Sequence, residues 1–135
     1  MELTLELAQQ LIAQALAQAQ SEFKRPICVA VCDAYGFLLA YARMPGVPIR
    51  SIAISQGKAH TAARIGTNTD AFLERLRRED LPASYFCDPL LTALPGGAVL
   101  KDSTGAIVGA AGISGLAPTE DQAVANAMAA AVQKA

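Results

Sequence analysis

From Thr4 to about Phe23 the apolar residues Leu7, Ala8, Leu11, Ile12, Ala15, Leu16 and Ala19 recur at helical spacing, and Gln9, Gln10, Gln14 and Gln18 mark much of the other side. The spacing predicts an amphipathic first helix. Pro26 interrupts it, and Ile27 to Cys32 follows as a run that is apolar on both alternating faces. A strand of that kind is covered on both sides, which favours a sheet between helical layers. Asp33-Ala34-Tyr35-Gly36 has the residue order of a type I turn, and Phe37 to Ala42 resumes the extended pattern, so the two runs form a hairpin. Asp102-Ser103-Thr104-Gly105 repeats the punctuation between Ala98 to Lys101 and Ala106 to Ile113, predicting a second hairpin.

Between the hairpins, Ser51 to Ile65 lacks strand alternation and reads as a helix ended by Gly66. Asn68 or Thr69 caps a third helix through about Arg78. Residues 81 to 97 hold Pro82, Pro89, Pro95, Gly96 and Gly97 and are assigned mainly to a long loop, where a pocket is expected. Pro118-Thr119-Glu120-Asp121 opens a fourth helix, with proline and two acids suited to its positive end. That helix is apolar almost all round from Ala123 to Val132, which predicts that part of it lies in a subunit interface.

Length and composition narrow the classes. A chain of 135 residues, 53% hydrophobic and without low-complexity tracts, is expected to fold as one domain over residues 1–135. Eleven basic and twelve acidic residues leave a net charge of -1, and no basic stripe is present to neutralise a row of phosphates, so no nucleic-acid partner is expected. Lys24, Arg25, Arg75, Arg77 and Arg78 are split among segments that also carry acids and read as solvated surface. The start Met1-Glu2-Leu3-Thr4 lacks signal-peptide character and no apolar run spans a bilayer, so the expected location is cytoplasmic with no membrane partner. Cys28 and Cys32 on one strand would lie about 13 Å apart, beyond the ~7 Å Cα limit of a disulfide. With Cys87 they show no metal spacing, and all three are expected to be buried, inert thiols with no metal bound.

Several stretches in this order resemble the GlcG/HbpS family of haem-binding-like proteins, which includes PduO C-terminal-like domains. They are Val31 to Gly36 with Arg43-Met44 after it, Gly57-Lys58-Ala59-His60-Thr61-Ala62-Ala63, Leu94-Pro95-Gly96-Gly97, and Val108 to Gly115 leading to Glu120-Asp121. The resemblance spans nearly the whole chain. It implies an α/β fold, a profilin-like α/β/α sandwich with a central antiparallel sheet, assembled as a homo-oligomer. It also implies a small-molecule ligand, haem or a related tetrapyrrole among them, without carrying an axial-ligand role onto His60, the single histidine.

Each candidate side chain has a structural alternative. Asp33 is placed to close an Asx turn, and Asp102 likewise, so acid/base work by Asp33 competes with turn formation. Pairing across the first hairpin sets Asp33 near Phe37 and Arg43 near Ile27, away from one another. Lys58 and His60, two positions apart on a helix, point roughly 200° apart, so one small pocket does not take both. Lys58 is the better ligand-binding candidate, pairing with a substrate carboxylate or a haem propionate; a surface lysine is the alternative. For His60 the choices are haem ligation, proton transfer or a simple hydrogen-bonded histidine. Gly96 and Gly97 allow close backbone approach to a ligand, and Ser114 in Gly112-Ile113-Ser114-Gly115 offers an anion site, with tight turning as the plain alternative for both. Ser114 misses the nucleophile-elbow spacing and has no histidine partner assigned. The leading function is a small-molecule binding protein with a loop-lined pocket near a subunit interface. Two alternatives stay open. One is a cofactor-free lyase or isomerase on a small carboxylate- or carbonyl-bearing metabolite, with Lys58 holding the anion and Asp33, His60 or Glu120 moving a proton. The other is an accessory or assembly protein.

Overall fold

A computed structural model describes residues 1–135. Helix α1 covers Leu5–Gln18 and continues through a π-helical turn at Ala19–Phe23. Strands β1 (Cys28–Asp33) and β2 (Leu38–Arg43) form the first hairpin, followed by α2 (Ser51–Ile65) and α3 (Thr69–Glu79). A 3₁₀ turn at Ala83–Phe86 leads to β3 (Gly97–Lys101), β4 (Ile107–Ser114) and α4 (Pro118–Gln133). The four strands lie in the order β2-β1-β4-β3, every neighbouring pair antiparallel. Both hairpins expected from the turn signals are present, and β1 joins β4 at the centre.

The two-sided character of Ile27 to Cys32 is explained by helices on both faces. On one face Val29, Val31, Ala98, Leu100, Ala111 and Ile113 pack against α1 and α4. On the other, Ala30, Cys32 and Ala110 meet Ala59, Ala62 and Ala63 of α2. The register explains how close α2 comes. Ala30 pairs with Gly112, and Gly112 with Gly97, so one row across three strands carries almost no side-chain volume. A Cβ on Gly112 would collide with the Ser55 carbonyl oxygen and lie 2.6 Å from the Ala59 nitrogen, and one on Gly97 would lie 2.6 Å from the Thr69 methyl. The glycines are a trough in the sheet that receives the helix.

Several sequence expectations need adjustment. The first helix reaches Phe23 only by widening into the π turn, which Lys24 ends with a left-handed backbone at φ 54°. Neither Asn68 nor Thr69 caps α3 through its side chain. Asn68 Oδ1 instead accepts from the Val99 N–H and Thr69 Oγ1 from the Gly97 N–H, tying the helix start to β3. Residues 81 to 97 contain the 3₁₀ turn, anchored by an edge-to-face contact of Phe86 with Phe72 at 5.3 Å. Cys87 is exposed at the end of this turn, unlike the strand residues Cys28 and Cys32, which are buried. In α4 the large residues Val124, Met128 and Val132 are buried within the chain, and the outward face carries Ala123, Asn126, Ala130 and Gln133. The apolarity of α4 is thus shared between the chain's own core and an outward side of alanines broken by Asn126 and Gln133. No helix is long and apolar enough to cross a membrane.

Candidate functional site

The Asp33 carboxylate accepts from the N–H groups of Tyr35 and Phe37, and Asp102 accepts from those of Thr104 and Ala106, so both are turn-formers. Asp102 also accepts from the Thr104 hydroxyl and lies 3.3 Å from the terminal ammonium, and these partners, the Thr104 hydroxyl foremost, hold its carboxyl down at about 2. Asp33 closes the turn that forms one bank of a cleft of about 520 Å³ between the β1–β2 hairpin, α2 and the 89–92 segment. Ile52, Ala53 and Ile54 come from α2, Leu38 from β2, and Pro89 and Leu90 from the loop. A volume of this size is typical of small-molecule sites.

His60 joins the two banks. Its Nδ1 lies 3.3 Å from the Gly36 carbonyl oxygen on the hairpin side, and its Nε2 lies 2.7 Å from an Asp88 carboxylate oxygen on the loop side. The hydrogen bond to His60 is the main reason the Asp88 carboxyl is held below its usual range. Arg64, one turn further along α2, donates to the Tyr35 carbonyl and sits over the Phe37 ring at 5.6 Å. On the loop side, the Thr92 N–H donates to Thr61 Oγ1 at 2.9 Å. At the back of the cleft, burial pushes the Cys32 thiol up to about 12, so it is a neutral, unreactive wall.

Lys58 points the other way, as the helical projection requires. Its Nζ donates to the Ile113 carbonyl at 2.7 Å and to Asp121 at 3.0 Å, with both side chains 3% exposed. Desolvation lowers the Lys58 pKa and raises that of Asp121, each opposed by the partner's charge. Lys58 is therefore not a surface lysine. Gly96 and Gly97 face it rather than open space: a Cβ on Gly96 would lie 2.6 Å from Lys58 Nζ, and one on Gly97 2.5 Å from the Lys58 carbonyl oxygen. Ser114 is buried and donates to Ser51 Oγ at 3.1 Å. Arg43 is exposed at the far end of β2, opposite Cys28. Glu120 accepts from the Ala117 N–H at the start of α4 and pairs with Arg25. Asp33, His60, Glu120 and Lys58 consequently do not share one cleft. No three His, Cys, Asp or Glu side chains are grouped so as to hold a metal ion.

The partners Asp88 and Asp121 were not singled out in the sequence for pairing roles. Asp88 stands 28 residues from His60, and Asp121 stands 63 from Lys58. Asp121 had only its place beside Glu120 at a helix start, and nothing in that position separates a buried acid from an exposed one.

The sequence model of the family described as "Haem degrading protein HbpS-like" matches residues 3–130. The chain belongs to the HbpS-like family. Among curated HbpS-like relatives, protein GlcG of Escherichia coli K12 is 36% identical over 112 residues, 80% of this chain and 81% of GlcG. Among solved structures, a PduOC complex with haem superposes with a TM-score of 0.86 at 26% identity, covering 98% of this chain and 96% of that one. A double mutant of Streptomyces reticuli HbpS superposes with a TM-score of 0.85 at 28% identity, covering 98% and 88%. This HbpS-like chain therefore has the expected sandwich.

Proposed function

We propose that the chain is a small-molecule binding protein that takes a flat, mostly apolar ligand of the haem or tetrapyrrole class in the cleft between the β1–β2 hairpin, α2 and residues 89–92. The observation that carries this reading is the cleft itself: an open, largely aliphatic space of about 520 Å³ with one hydrogen-bonded histidine at its edge. Membership of the HbpS-like family and the haem complex of PduOC support the choice of ligand class. Bound haem supplies an iron centre with redox and ligand-binding chemistry. Leu38, Ile52 and Leu90 would hold the ring by apolar contact, each buried side chain contributing about 1.5–3 kcal/mol at most.

His60 has a different part in this reading. Both ring nitrogens face oxygen atoms, so the imidazole clamps the two banks and presents no free lone pair to an iron. Titration of purified protein with hemin, followed at the Soret band, is expected to give a saturable shift at micromolar protein. His60→Ala is expected to weaken binding by loosening both banks while leaving the band position unchanged. Absence of saturation rejects the haem reading, and a moved band in His60→Ala assigns the imidazole to iron instead.

A further inference from the structure

A second recess, of about 220 Å³, opens where the starts of α2 and α4 come together. The Lys58–Asp121 pair and the Ser51–Ser114 hydroxyl pair line its interior, with Arg50 also in its wall. Asp121 is fully engaged: one oxygen accepts from Lys58 at 3.0 Å and the other from the Leu116 N–H at 3.0 Å. The cations are not. Lys58 carries three ammonium hydrogens, and Ile113 and Asp121 take two of them. Ser114 donates to Ser51, which leaves the Ser51 hydroxyl hydrogen without an acceptor in a residue only 3% exposed. The exposed Arg50 guanidinium takes part in none of the chain's five ion pairs. Two cations face one carboxylate, and two helix N-termini add partial positive charge on the same side. Ile54, Leu94 and Pro118 supply the apolar part of the wall.

The geometry points to a carboxylate-binding subsite in this recess, formed by Arg50, Ser51 and Lys58. A guanidinium at the opening matches a carboxylate by charge and by shape, and the volume admits a carboxyl group with a short aliphatic chain. The carboxylate has two sources. One is a free short-chain organic acid. The other is a carboxyl arm of a ligand seated in the larger cleft, since Ile54 lines both spaces; that source alone rests on the function proposed above.

Two titrations separate them. In the first, sodium propionate is added to ¹⁵N-labelled protein; saturable amide shifts at Ser51, Ile52, Ser114 and Gly115 are expected with a Kd of order 1 mM, lost in Arg50→Gln, whose melting temperature stays that of the wild type. In the second, hemin is titrated into Arg50→Gln, and a loss of about tenfold in affinity assigns the subsite to the carboxyl arm. Propionate binding without hemin binding upholds the subsite and rejects only the haem reading. Equal shifts with sodium chloride, or no propionate response together with an unaltered hemin affinity in Arg50→Gln, overturn the proposal.

Discussion

Gly112→Ala is expected to destabilise the protein by about 4 kcal/mol or more, at the extreme of single substitutions. The added methyl would meet the Ser55 carbonyl oxygen and the Ala59 nitrogen, both backbone atoms of α2, and neither can move without lifting the helix from the sheet. Ordinary overpacking costs about 1–3 kcal/mol because side chains give way, and here there is no side chain to yield. Gly105→Ala is the comparison. Gly105 has φ +88° and no neighbour within 4 Å, so its substitution carries only the left-handed backbone penalty, about 1–2 kcal/mol. Thermal unfolding followed by circular dichroism would lower Tm by more than about 10 °C for Gly112→Ala and by a few degrees for Gly105→Ala. Similar small losses in both would mean that α2 does not rest in the glycine trough.

The second large effect is at the buried ion pair. Lys58→Met removes one partner and leaves the Asp121 carboxyl nearly buried without its counter-charge, which costs about 3–5 kcal/mol. Lys58→Met with Asp121→Leu removes both charges and is expected to recover most of that loss, since replacing a whole buried pair by apolar groups is often neutral. The pH dependence has a definite sign. Burial already raises the Asp121 pKa, and Lys58 is the main influence opposing the rise. Without Lys58 the folded-state pKa lies further above the unfolded value. The carboxyl then costs least when protonated, and stability is lost as pH rises through the folded-state pKa. Urea unfolding of Lys58→Met should therefore show a smaller deficit against the wild type at pH 5 than at pH 7.5. A deficit that grows towards acid would contradict the pairing.

Much of this architecture was legible along the chain because it rests on local signals. Ile27 to Cys32 announces a doubly covered strand, Asp33 and Asp102 announce turns, and Gly66 ends α2 in the left-handed backbone its position requires (φ 81°). The strand order β2-β1-β4-β3 was not legible in the same way, since it depends on β1 and β4 finding one another across the 73 residues between Asp33 and Ile107, an event with no local trace. The site divides similarly. The position of the cleft near α2 and the proline-rich segment followed from breaker residues, and the divergence of Lys58 from His60 followed from helical geometry. The hairpin bank at Gly36 and Leu38, and the pairing of His60 with Asp88, required the tertiary fold. Gly96 and Gly97 were ambiguous for a physical reason: a glycine that admits a ligand and one that admits a neighbouring helix look the same in sequence. Cys87 was expected inside because free cysteine is usually buried, but it ends the 3₁₀ turn with its thiol exposed.

The placement of the ligand in the first cleft is most directly tested by Leu38→Glu. Leu38 is 53% exposed on an edge strand, where a charge is tolerated, and its side chain lines the cleft. Hemin titration of this variant is predicted to show affinity weakened by about tenfold or more, with an unchanged circular dichroism spectrum. An affinity equal to that of the wild type would contradict the assignment of the cleft.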